Sequence, residues 1–158
     1  MNRKRLIPRL HAFAGILAFA IIAAFLVASA AVELGGTRQA VASVKTTVGW
    51  GLTILVPALM ATGFTGFLMA GPRPRGRAAT KLARMRVVAA NGLLILVPSA
   101  IFLAVKAGAG EFDAVFAAVQ GVEFLAGGAN LMLMGLNIRD GLAMVGRLGR
   151  PRAAGGVG

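Results

Sequence analysis

Residues 87–105 read VVAANGLLILVPSAIFLAV, with Arg84 and Arg86 just before the run and Lys106 directly after it. Nineteen residues without a single charge match the length a helix needs to cross the roughly 30 Å hydrocarbon core of a bilayer. The run lacks the polar/apolar alternation of a membrane strand and is much longer than one, so it reads as a helix. Lipid offers no partners for backbone N–H and C=O groups, which favours the helix further.

Three more runs of this kind lie in the chain: Leu10 to Val32, Val44 to Met69 and Ala114 to Leu136. The 158 residues are 58% hydrophobic and only 14% charged, more apolar than a water-soluble domain. The predicted fold class is all-α, an integral membrane four-helix bundle. Residues 1–9 form a basic N-terminus, 10–137 a single four-span domain, and 138–158 a basic, partly disordered tail.

Basic residues orient the spans. Fourteen of the 17 lie before the first span, between the second and third, or after the fourth. Only Arg38, Lys45 and Lys106 fall on the other side, so the positive-inside rule predicts both termini in the cytoplasm. Arg73, Arg75, Arg77, Lys81 and Arg84 in the middle connection are candidates for contact with anionic lipid headgroups, each contributing about 1 kcal/mol near the surface. The net charge of +12 does not point to nucleic acid, because the basic residues flank apolar runs and have no aromatic residues interleaved for stacking.

A competing reading takes the first run as a signal peptide cleaved after Ala28-Ser29-Ala30. The apolar stretch is longer than a usual signal core, which favours a retained span. A local echo pairs GLTILVPA (51–58) with GLLILVPS (92–99). The small alphabet of membrane helices produces such echoes by chance. Taken as a repeat, they would place helix breaks near mid-membrane at Pro57 and Pro98, as transporter folds do around their binding sites.

Polar residues within the spans carry the functional candidates, since each is costly in hydrocarbon unless satisfied. On the fourth span Gln120, Glu123, Asn130 and Asn137 share a face with Gly127. Glu123 lies roughly 13 Å in from the span's start, close to the midplane. It must be protonated, paired with Lys45 or Lys106, or facing water. Glu123, Gln120, Ser99 and Thr53 form a candidate substrate or ion site in the outer half; Asn91, Asn130, Thr62 and Thr65 form a candidate inner polar layer. Gly49, Gly51, Gly63, Gly66, Gly127 and Gly128 offer small surfaces for helix packing.

His11, at the start of the first span near the depth of Met69 and Met85, is a candidate axial ligand for haem b; the alternative is an interfacial histidine partly in water. With one histidine and no cysteine, the sequence holds no usual multi-histidine metal set and no thiolate nucleophile. No P-loop, GxSxG or HExxH motif occurs.

The expectation is therefore a non-enzymatic module of a bacterial inner membrane, self-associating or accessory to a larger complex, with lipids as partners and no cofactor. Two alternatives stand beside it: a small proton- or cation-coupled transporter using Glu123, and a haem protein using His11.

Overall fold

A computed structural model describes residues 3–148. α1 (Arg3–Gly35) and α2 (Arg38–Ala70) form a tight hairpin. The third span comprises α3 (Arg77–Asn91), a five-residue π-turn (Gly92–Leu96) and α4 (Val97–Gly108); α5 (Ala114–Leu148) completes the bundle. Four helices are long and apolar enough to cross a membrane.

Each helix outruns the apolar stretch that announced it. α1 begins seven residues before Leu10, and α5 continues through Leu148 where the span was expected to end at Leu136. Hydropathy marks where lipid contact stops, but a helix continues as long as its own hydrogen bonds do, and basic side chains extend into polar surroundings along their stems. The basic segment from 138 to 148 is helical. The expected disorder of residues 153–158 lies outside the described residues.

Local chemistry sets the turns. The Thr37 hydroxyl accepts from the Ala40 N–H at 3.2 Å and caps α2, and the Asp113 carboxylate accepts from the Phe116 N–H at 2.8 Å and caps α5. α2 stops at Gly71, whose positive φ of 71° suits a residue without a side chain.

The two echoed segments behave differently, and neither breaks its helix. α2 runs straight through Pro57. In the third span Pro98 occupies the first turn of α4, and the chain widens into one π-turn just before it. A proline lacks an N–H and crowds the carbonyl four residues back, here Leu94 inside that π-turn.

The helices pack in a square: α1 against α2, α2 against the third span, the third span against α5, and α5 back against α1. The diagonal partners α2 and α5 do not touch along their backbones. Burial is inverted relative to a soluble protein. Phe13, Trp50, Phe64 and Leu125 face outward, while Lys45, Glu123, Gln120, Ser29 and Asn130 are buried. Apolar side chains also fill the interior; large apolar groups on the outside with the polar groups drawn inward is the pattern a hydrocarbon solvent selects.

Candidate functional site

The bundle centre holds two apolar clusters. One contains Val41, Leu103, Ala107 and Phe116; the other contains Ala18, Ile22, Leu55, Ala58, Val88 and Met134. Between them in the register of α2 and α5 lies a polar layer. Lys45, fully buried, extends from α2 across the bundle and donates from Nζ to Glu123 Oε2 on α5 at 2.6 Å. It donates also to Ser29 Oγ on α1 at 3.1 Å, and its ammonium lies 5.9 Å from the ring centroid of Phe124. Gln120 Nε2 donates to the same carboxylate oxygen at 3.0 Å.

Of the three states open to Glu123, the structure adopts pairing with Lys45. Lys106 is engaged elsewhere, bridging Asp113 at 2.6 Å and Glu111 at 3.0 Å at the end of the third span. That contact, followed by the cap to the Phe116 N–H, holds the Asp113 carboxyl below the usual carboxylate range. Lys45 had read as a flanking charge because the apolar run begins beside it. Since α2 starts at Arg38, Lys45 lies two turns inside the helix and faces the core.

The expected four-residue site is only partly assembled. Gln120 and Glu123 bond directly, whereas Thr53 is exposed on α2 and donates to its own helix at Trp50 O, 2.7 Å away. Its depth was suitable but its helical phase was not. Ser99 is buried on α4, with no hydrogen bond to Glu123 or Gln120. Ser29 takes the place these two were expected to fill. Sequence pointed to it only as part of the cleavage-like Ala28-Ser29-Ala30; a hydroxyl within an apolar run was the signal available.

A small cavity of about 50 Å³ adjoins the ion pair, lined by apolar side chains together with Ser29 and Glu123. It has room for a water or two. Gln120 Oε1, which does not line this cavity, is buried with no hydrogen-bond partner among the described residues.

The inner polar layer resolves into two separate contacts. Asn91 Nδ2 donates to Asn130 Oδ1 and to Ala126 O, both at 2.8 Å, and Asn130 Nδ2 donates to Val88 O at 3.3 Å, which ties the third span to α5. Thr62 and Thr65 instead belong to the α1–α2 seam. His11 Nδ1 lies 3.1 Å from both Thr62 O and Thr65 Oγ1. A backbone carbonyl only accepts, so Nδ1 carries the proton.

Nearby, Lys81 and Arg84 are half-buried and make contacts within the bundle. Arg84 pairs with Asp140 at 2.7 Å, and Lys81 lines an inward cleft with His11. Arg73, Arg75 and Arg77 remain exposed. Among the glycines, Gly51, Gly49, Gly66 and Gly127 do meet neighbouring helices, whereas Gly63 and Gly128 open onto empty space.

The chain matches no protein-family model, no curated protein and no solved structure.

Proposed function

We propose that this chain is a small multi-pass protein of a bacterial inner membrane, with both termini cytoplasmic. In this reading it works as a non-enzymatic helical module, self-associating or accessory to a larger membrane complex. The observation that carries the reading is the Lys45–Glu123 pair. Two charges that are each costly in hydrocarbon neutralise one another across the bundle, with Ser29 and Gln120 completing their hydrogen bonds. The adjoining cavity of about 50 Å³ is too small for a solute beyond water. Such a layer fastens three of the four helices, α1, α2 and α5, to one another. The orientation rests on the basic asymmetry, and taking Lys45 out of the flanking count strengthens it.

Purification of the tagged chain from native membranes in mild detergent tests the module reading. A stoichiometric oligomer or co-purifying subunit is expected, and proteoliposomes of the purified chain should show no proton- or cation-driven flux. A monomer without partners that supports flux would overturn it.

A second reading, a proton- or cation-coupled carrier, draws on the orphan acceptor Gln120 Oε1 beside Glu123, since an unpartnered buried acceptor is where a hydrated proton or cation would dock. It requires the ion pair to open in each cycle. Flux that disappears in a folded Lys45→Met/Glu123→Leu variant would favour it. The haem reading would pair His11 with Met69, Met85 or His11 of a second copy; a lone interfacial histidine lacks an assured opposite ligand, and we expect no Soret band from the purified protein.

A further inference from the structure

At the basic end of the bundle, away from the ion pair, a cavity of about 170 Å³ opens between α1, α2, α3 and α5. Three thioethers line it, Met69 from α2, Met85 from α3 and Met144 from α5, together with His11 from α1. Methionine is a common gap filler, so thioethers alone would signify packing. The histidine changes the chemistry. Its Nδ1 proton is committed to Thr62 O and Thr65 Oγ1, which fixes the ring and its tautomer. Nε2 then carries the free lone pair and has no hydrogen-bond partner among the described residues. Metal-binding histidines are prepared in this way, with the second ring nitrogen donating to a backbone carbonyl.

Two of the soft donors lie close together. A methyl group built on Gly66 would stand 2.9 Å from Met85 Sδ and 3.2 Å from His11 Cε1, so thioether and imidazole edge are neighbours over a bare stretch of α2. We propose that His11 and Met85, with Met69 and Met144 available as further ligands, form a binding site for a soft monovalent metal ion, Cu(I). Thioether and imidazole donors without a carboxylate or thiolate suit Cu(I) and discriminate against hard divalent cations.

Lys81 lines the same cleft and opposes a cation. Its Nζ is 3.0 Å from the position a Gly141 Cβ would take, so the ammonium lies against α5 at the residue next to Asp140, whose charge acts on it. A neutral histidine with its proton on Nδ1 presents Nε2 as a lone pair, which suits a metal ion, whereas a phosphate held by Lys81 would need a second proton on the ring.

The test is an anaerobic titration of the full-length chain, purified in detergent under reducing conditions, against a chromophoric Cu(I) chelator. The chain is expected to withdraw one equivalent of Cu(I), and X-ray absorption of the product should show sulfur neighbours. Met85→Leu conserves volume, so helicity and elution should be unchanged while Cu(I) affinity falls at least about tenfold. His11→Ala should weaken it as far or further, and Lys81→Met should retain or tighten it. A chelator left fully loaded would overturn the proposal. So would a Met85→Leu/Met144→Leu variant that competes as well as the unsubstituted chain, or loss of binding in Lys81→Met, which would mark an anion site.

Discussion

Lys45 on α2 and Glu123 on α5 meet at 2.6 Å although their helices share no backbone contact, so one ion pair spans the diagonal of the bundle. Its energetics are asymmetric. Removing one partner strands a buried charge, whereas removing both leaves apolar space that hydrocarbon side chains can fill.

A double-mutant cycle should expose that asymmetry. Lys45→Met or Glu123→Gln alone is expected to cost about 3–5 kcal/mol in detergent unfolding titrations, because either leaves one ion uncompensated. Lys45→Met/Glu123→Leu should recover most of the loss. Equal additive losses in the single and double variants would show that the pair does not couple α2 to α5. Lys45, fully buried, is what makes Glu123→Gln costly.

Glycines of the α2 helix separate by what they face. A Cβ on Gly51 would collide with the Phe25 ring, which has to shift to admit it. Gly51→Ala should therefore lower stability by about 1–3 kcal/mol through overpacking. At Gly63, with nothing within 4 Å, alanine should be neutral or stabilising by up to about 1 kcal/mol. Thermal melts of both variants in the same detergent make the comparison.

Asn130 is fully buried and bonds to both Asn91 and Val88 O. Asn130→Leu is expected to destabilise by about 0.6–1.7 kcal/mol, the range for interhelical hydrogen bonds in membrane bundles. Asn91 keeps its bond to Ala126 O and limits the loss. Unfolding titration gives the value, and cross-linking between the third span and α5 should become less efficient. Unchanged stability would remove this contact from the account of the fold.

Orientation has its own measurement. A reporter fused after Gly158 should behave as cytoplasmic and one inserted at Gly36 as external. A cytoplasmic signal at Gly36 would reverse the topology. A mature chain beginning at Ala31 would identify cleavage, and would remove Ser29 from the Lys45 pocket.

The sequence by itself determined that there are four long apolar helices, where the apolar stretch of each lies, and that Gln120, Glu123 and Asn130 share one face of α5. Those properties depend on composition and on the helical period, both of which are local. Hydropathy could not mark the helix ends, because helices outlast their apolar segments. That error made Lys45 a flanking charge. Tertiary structure alone decided its partner, since the choice between Lys45 and Lys106 depends on how α2 is rotated against α5, a relation between residues 78 positions apart. The rotation of α2 also turned Thr53 outward, and that of α1 turned Ser29 inward. The same packing divided the inner polar residues between two seams and brought His11 beside Met69, Met85 and Met144. Depth along a helix follows from counting residues at a fixed rise; direction around it is set only when all four helices compete to bury their polar groups away from lipid.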